Sequence, residues 1–95
     1  MNMLATMTKA PAEVLDYDVD FGRWLPDGDS ITSAVAVVAP GTAVAVTLTE
    51  HSDTTAKTWV SGGADGQTAH ITLTITTMGG RTKEVCFRLR IKECH

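Results

Sequence analysis

The sequence has little aromatic content, few cysteines and no long apolar run. Only 5% of its 95 residues are aromatic, whereas 43% are hydrophobic and 20% are charged. This balance is typical of one globular domain with a modest core, and not of a disordered or fibrous chain. The longest apolar run, from Ala34 to Pro40, is far shorter than the roughly 20 residues of a membrane-spanning helix, so we expect no membrane span.

The first residues also lack the features of an export signal. The sequence MNMLATMTKAPAE has no charged start followed by an apolar core of about 7–15 residues, so we expect the protein to stay where it is made. Cys86 and Cys94 would lie about 26 Å apart on one strand at roughly 3.3 Å per residue, and a disulfide needs Cα atoms within about 7 Å. We expect free thiols, typical of a reducing cytosol, unless the chain turns after Ile91.

Positive charge is scarce and scattered. The chain has eight Lys and Arg against eleven Asp and Glu, which gives a formal net charge of −3. Arg88, Arg90 and Lys92 alternate with apolar residues, as on one exposed face of a strand, and no aromatic residues are interleaved with them as in a basic binding patch. We therefore expect no nucleic-acid partner.

Alternation of apolar and polar residues with a period of two dominates the sequence. Ile71, Leu73 and Ile75, for example, alternate with threonines. Turn sequences rich in Gly, Pro and Asp separate these runs. The pattern predicts strands near residues 16–21, 30–38, 43–50, 55–61, 68–78 and 82–92.

Six or seven short antiparallel strands predict an all-β fold. We expect an immunoglobulin-like antiparallel β-sandwich over residues 15–95, with a small barrel as the alternative packing. Residues 1–14 are predicted to be an extended N-terminal arm, because they have too little apolar content to fold alone. Such an arm is either mobile or ordered against a neighbouring subunit.

An acidic stretch, LDYDVDFGRWLPDGDS over residues 15–30, raises the question of a metal site. Its alternate aspartates, beginning at Asp16, have the spacing of the first three ligands of a calcium loop. However, Phe21 stands where that loop needs glycine, and Asp27 stands where it needs a bidentate glutamate. The aspartates are instead typical of the exposed face of an edge strand, where charge discourages unwanted pairing.

No pattern in the sequence predicts catalysis or a bound cofactor. His51, Ser52 and Asp53 are residue types of a catalytic triad, but triads are assembled from distant segments, so we predict a polar hairpin loop here. The cysteines and histidines contain no pair at the spacing of zinc ligands. We expect a non-enzymatic protein with no metal and no cofactor.

Two tryptophans are candidates for binding, because exposed indoles stack on sugars or anchor protein interfaces. Trp24 is predicted to plug one end of the sandwich. The direction of Trp59 is open, because if Thr58 and Val60 point inward, its indole lies on the outer surface as an interface anchor.

Three segments in order carry a resemblance to a known family. They are LDYDVDFGRWLPDGDSI from Leu15 to Ile31, AKTWVSGG from Ala56 to Gly63, and the stretch from Thr76 that begins TTMGGRT and ends RLRI at Ile91. Together these segments resemble the fiber-tail adaptor proteins of tailed bacteriophages. The sequence departs from that pattern at Ala69, where similar proteins tend to carry an aromatic residue, which weakens the case for a tyrosine corner.

The resemblance implies a structural virion protein that joins the tail to its fibers through contacts with other tail proteins, such as a portal or tail-tube ring and the fiber. It further implies several symmetric copies in the particle and assembly in the host bacterial cytoplasm. A capsid decoration module, or a host-surface module that binds glycans, is the alternative. The residues that we expect at the interface are Met3, Leu4 and Met7 as apolar anchors, Asp18 and Asp20 as complements to a basic surface, and Trp59.

Overall fold

The computed structural model describes residues 2–93, with side chains from residue 6 onward, as two β-sheets packed face to face. The described residues contain no helix, and therefore none that could cross a membrane. One sheet has four strands in the order β1-β7-β6-β3, and the other has three in the order β2-β5-β4. The strands are β1 (Asn2–Lys9), β2 (Leu15–Asp20), β3 (Ile31–Val38), β4 (Val44–His51), β5 (Thr55–Gly62), β6 (Thr68–Thr77) and β7 (Thr82–Ile91).

The core lies between the sheets and follows from the alternation in the sequence. Ile71, Leu73 and Ile75 of β6 are fully buried, while the threonines between them face outward. Phe87 and Leu89 of the neighbouring β7 enter the same core. Burying each such side chain contributes about 1.5–3 kcal/mol, so β6 and β7 form the most strongly stabilised part of the sandwich.

The structure confirms the all-β sandwich and the six strands predicted from the sequence, each within one residue at either end. Two separate sheets also exclude the barrel alternative. The immunoglobulin-like assignment stays a prediction. The last hairpin is as predicted, with Gly80, whose φ is +86°, in the turn between β6 and β7.

The N-terminal segment corrects our expectation of an arm over residues 1–14. Residues 2–9 form β1, which pairs with β7 of the same chain, so order there requires no neighbouring subunit. This pairing is parallel, whereas we expected an antiparallel sandwich throughout. The physical reason is that the segment is ordered by main-chain hydrogen bonds to the edge of β7, which those bonds also cover.

The connections gather at the two ends of the sandwich. The loops of residues 10–14, 39–43 and 63–67 lie at one end, which we call the Lys9 end. Residues 21–30, 52–54 and 78–81 form the other, which we call the hairpin end.

Lys9 closes the end that is named after it. Its side chain is 0% exposed, and its Nζ donates hydrogen bonds to the carbonyl oxygens of Gly62 at 2.7 Å, Ala10 at 2.7 Å and Pro11 at 3.4 Å. Burial lowers the pKa of Lys9, and the charge of the Glu13 carboxylate acts in the opposite direction. Because Gly62 ends β5 in the other sheet, the ammonium group joins the two sheets.

Asp29 fixes the hairpin end in a comparable way. Its carboxylate accepts hydrogen bonds from the N–H groups of Gly79 at 2.9 Å and Ser30 at 3.0 Å, and from Nη1 of Arg81 at 3.2 Å. Burial alone would raise the pKa of Asp29, but hydrogen bonds from Gly79, Thr77, Ser30 and Arg81 together hold that pKa below its ordinary value. The loop between β2 and β3 is thereby attached to the β6–β7 hairpin.

Candidate interaction surfaces

The outer surface of the three-stranded sheet carries the acidic residues that the sequence singled out. Asp16, Asp18 and Asp20 are all exposed there, because they alternate along β2 with Tyr17 and Val19, which face the core. We call this surface the acidic face. It comprises Asp16, Asp18 and Asp20 of β2, Leu48 and Glu50 of β4, and Lys57 and Trp59 of β5.

Trp59 lies near the middle of the acidic face. Thr58 and Val60 are both fully buried, which settles the question that the sequence left open and directs Trp59 outward. Across the sheet, Trp59 stands beside Asp16 on β2 and Leu48 on β4. Leu48 is 51% exposed, so an indole and an aliphatic side chain meet solvent together on an otherwise polar surface.

The next row of the acidic face is formed by charged side chains. Lys57 stands between Asp18 on one side and Glu50 on the other. Its Nζ lies 3.6 Å from Oδ2 of Asp16, and the two side chains are 38% and 39% exposed. An ion pair this exposed contributes at most about 1 kcal/mol, so Asp16 holds Lys57 only weakly.

The predicted polar loop at residues 51–53 borders a shallow cleft at the hairpin end of this face. The cleft has a volume of about 220 Å³ and is lined by Asp18, Glu50, His51, Ser52, Thr55 and Lys57. The Ser52 hydroxyl lies 2.7 Å from that of Thr55, and Nδ1 of His51 lies 3.2 Å from the main-chain carbonyl oxygen of Ser52. These contacts stabilise the turn between β4 and β5.

Of the apolar anchors predicted in the N-terminal segment, only Met7 has a side chain among the described residues. Met7 packs against the chain's own core cluster and is half-buried, so it is not a free anchor for a partner. The backbone of Met3 pairs with Cys86 in the β1–β7 ladder. The side chains of Met3 and Leu4 lie outside the described residues, and their predicted role is untested.

Trp24 partly corrects another prediction. It is 36% exposed at the hairpin end, with its ring edge-on to Phe21 at a centroid distance of 6.4 Å and with Nζ of Lys83 5.7 Å from its centroid. Leu25, and not Trp24, packs against the core there. Trp24 thus partly covers Phe21, and the ammonium group of Lys83 lies over the Trp24 ring in a cation–π contact.

Two features escaped the sequence reasoning. One is Lys9, since a lysine ordinarily predicts solvent exposure. The other is an uncharged stretch from Ser30 to Thr49, which contains β3 and most of β4. Within it, Val35 and Val37 are 57% and 59% exposed. The absence of charged residues over that stretch is evident in the sequence, and it could have indicated that one side of the sandwich is less polar than the rest. Among the described residues, no three His, Cys, Asp or Glu side chains come together in a group that could hold a metal ion.

Comparison with known protein families matches residues 9–90 to the family described as Podophage GP4 fiber-tail adaptor protein gp77. The match confirms the resemblance that the three sequence segments carry, and it includes the whole acidic face. No similar protein is found among curated proteins. The matched range covers most of the 95 residues, so the chain belongs to the family of podophage GP4 fiber-tail adaptor proteins, structural components of the phage tail.

Proposed function

We propose that this protein joins the phage tail to its fibers through protein–protein contacts made by the acidic face. It acts without catalysis and without a cofactor, in several symmetric copies, after assembly in the host cytoplasm. Membership of the adaptor family supports the joining role. The single observation that carries the choice of surface is the outward-facing pair of half-buried Trp59 and exposed Leu48 within a rim of carboxylates.

The arrangement has the composition of a small interface. Tryptophan is enriched among the residues that dominate binding energy, and a polar rim around such a residue excludes water from it. Trp59 and Leu48 would supply the apolar contact to the partner. Asp18 and Asp20 would complement a basic partner surface, which sets orientation and association rate more than affinity.

Main-chain rigidity also supports this surface. The acidic face is formed by strand residues that are paired on a sheet and backed by the core, whereas the loops at the ends of the sandwich are less constrained. A binding surface on paired strands loses little conformational entropy when a partner binds.

The test is charge reversal on the face in phage that carry the variant gene. We expect D18K/D20K particles to lose fibers, counted by electron microscopy of purified virions. D27K/E84K is the matched control, because it reverses two exposed carboxylates, one on a loop at the hairpin end and one on the outer surface of the four-stranded sheet, with the same change in net charge. The control should keep its fibers.

A second variant separates the apolar contact from the charges. W59A should reduce fiber occupancy while the purified protein still gives the β-sheet circular dichroism of the parent. If D18K/D20K particles carry a full set of fibers, the acidic face is not the joining surface. If the parent protein is found over the head instead of the tail, or if glycans change its tryptophan fluorescence, the decoration or glycan-binding alternative replaces the adaptor role.

A further inference from the structure

Strand β3 is an edge strand with unusual features. It pairs with β6 on one side, and no described strand pairs with its other side. Val35 and Val37 face outward from it, 57% and 59% exposed. Natural edge strands commonly carry lysine, proline or inward-pointing charge against unwanted pairing, and the stretch from Ser33 to Val38 has none of these.

The uncharged character extends beyond β3 into most of β4. No charged residue occurs from Ser30 to Thr49, a range that includes β3, its connection to β4 and β4 up to Thr49, the residue before Glu50. These strands are edge strands of the two different sheets, and β4 follows β3 directly along the chain. The core of a protein interface is depleted in charged residues, so this side has the composition of a covered surface.

The register of β3 on β6 identifies which main-chain groups are free. The N–H of Ala39 donates to the carbonyl oxygen of His70, so residues of the same parity, including Val35 and Val37, direct their main-chain groups toward β6. The main-chain groups of Ala34, Ala36 and Val38 therefore point away from β6, to the unpaired edge, where β4 lies nearby but forms no ladder with β3. No hydrogen bond joins them to another described main-chain group there.

We propose that a second copy of this chain pairs with this edge, β3 against β3, antiparallel about a two-fold axis at Ala36. In that register Ala36 faces Ala36 of the other copy, and Ala34 faces Val38. Each of these pairs exchanges two hydrogen bonds, about six in all. The two four-stranded sheets become one continuous sheet of eight strands.

The side chains of β3 fit this register. Val35 of each copy stands directly across from Val37 of the other at the closely spaced, non-hydrogen-bonded positions, where side-chain contact is greatest. The two valines that are exposed in the single chain thus form one cluster of four. Pro40 and the register shift between Ile31 and Ser33 limit the pairing to the short stretch between them.

A second copy fits this edge better than an unrelated partner. An uncharged strand offers an unrelated protein no electrostatic feature by which to be recognised, whereas antiparallel self-pairing places like residues together without any charge opposite another. A two-fold interface also closes on itself, so it leaves no new open edge on this side. The inference does not depend on the joining role of the acidic face, which lies on the other sheet.

Sedimentation of the purified full chain over a micromolar to millimolar concentration range tests the pairing. We expect a monomer–dimer equilibrium that V35K/V37K weakens at least about tenfold, because it places like charges directly opposite each other. The control is T8K, which adds a lysine to an exposed outward position on β1, the edge strand at the opposite side of the same sheet. T8K should dimerise as the parent does, and circular dichroism should show that all three proteins are folded.

Cysteine cross-linking tests the register itself, in a C94S background. A mixture of V35C and V37C chains should form an inter-chain disulfide on mild oxidation, because these positions lie directly opposite each other, whereas V35C alone should cross-link poorly. A parent that stays monomeric throughout the range overturns the proposal, as does a dimer that V35K/V37K leaves intact. An association that T8K weakens instead would mean head-to-tail pairing of β3 with β1.

Discussion

The ammonium nitrogen of Lys9 lies 2.7 Å from the carbonyl oxygen of Gly62, and this hydrogen bond joins β1 of one sheet to β5 of the other. A fully buried lysine is rare, because removing its charge from water is costly unless hydrogen bonds compensate. Here main-chain carbonyl oxygens provide that compensation. The residue that accepts this bond has a φ of +78°, a backbone conformation that favours glycine.

Replacing Lys9 by methionine should destabilise the fold. Methionine keeps the unbranched stem but leaves the carbonyl oxygens of Ala10 and Gly62 without their donor, at a cost of about 2 kcal/mol in the free energy of unfolding. Urea denaturation, monitored by tryptophan fluorescence, measures this loss in the free energy of unfolding. K92M is the control, because Lys92 is exposed one residue past β7. The urea midpoint of K92M should stay at the parental value.

The stability of the hairpin end should depend on the protonation of Asp29. Its pKa lies below the ordinary value of 3.8, because hydrogen bonds to the carboxylate outweigh the opposing effect of burial. A carboxyl group with a lowered pKa in the folded state contributes stability that is present above the unfolded pKa and is lost as pH falls through the folded pKa. We therefore expect the melting temperature to fall as pH is lowered below about 4.

The D29N variant checks the assignment to Asp29. It should melt below the parent at pH 7, and the difference should shrink as the pH approaches 2, because the parent then loses the same charge. D27N removes a neighbouring exposed carboxylate and should follow the parental curve at all pH values. An equal and pH-independent loss in both variants would contradict the role given to Asp29.

A buried hydroxyl in the core offers a stabilising substitution. Thr58 is 0% exposed, and its Oγ1 has no hydrogen-bond partner among the described residues. T58V keeps the shape and removes a polar atom that is desolvated without compensation, so the free energy of unfolding should rise by about 1 kcal/mol. T49V, at a half-buried position of the adjacent β4, is the comparison and should change stability less. A loss of stability in T58V would mean that the hydroxyl is hydrogen-bonded in solution.

Gly62 should tolerate no side chain. A Cβ atom there would lie 2.5 Å from the carbonyl oxygen of Ala43, in addition to the strain of a positive φ. Gly41 has a φ of +111° but no atom within 4 Å of such a Cβ, so G41A measures the strain alone. We expect G41A to cost about 1–2 kcal/mol and G62A clearly more, as measured by thermal unfolding of both variants. Equal costs would show that the loop before β4 moves aside.

The parts of the fold that the sequence predicted are those with local signals. Strands β6 and β7 alternate strictly and are joined by a glycine turn, so both strands and their pairing follow from neighbouring residues. Strand β1 has no such signal, because its partner is distant in sequence and its pairing uses main-chain groups that every residue carries. Lys9 was missed for the same reason, since only the folded chain brings carbonyl oxygens to its ammonium group.

The candidate site was predictable to a similar extent. The alternation around Asp18 placed the acidic residues on one outer surface, as found. The direction of Trp59 was not decided by alternation, because Thr58 and Val60 form a mixed pair whose burial depends on what the opposite sheet presents. The neighbours of Trp59 across the sheet, Asp16 and Leu48, depend on strand register, which a single strand sequence does not encode.

The pairing of β1 with β7 has a consequence for the order of folding. β1 is the first of the seven strands along the chain and β7 is the last, yet the register brings Asn2 to Val85. Contacts so remote in sequence form late, because the loop that they close must first be shortened by the folding of what lies between. The β6–β7 hairpin is expected to fold early and β1 to dock last. Lys9 then reaches Gly62 only at the final step of folding, so we expect the hydrogen bond between them to form last.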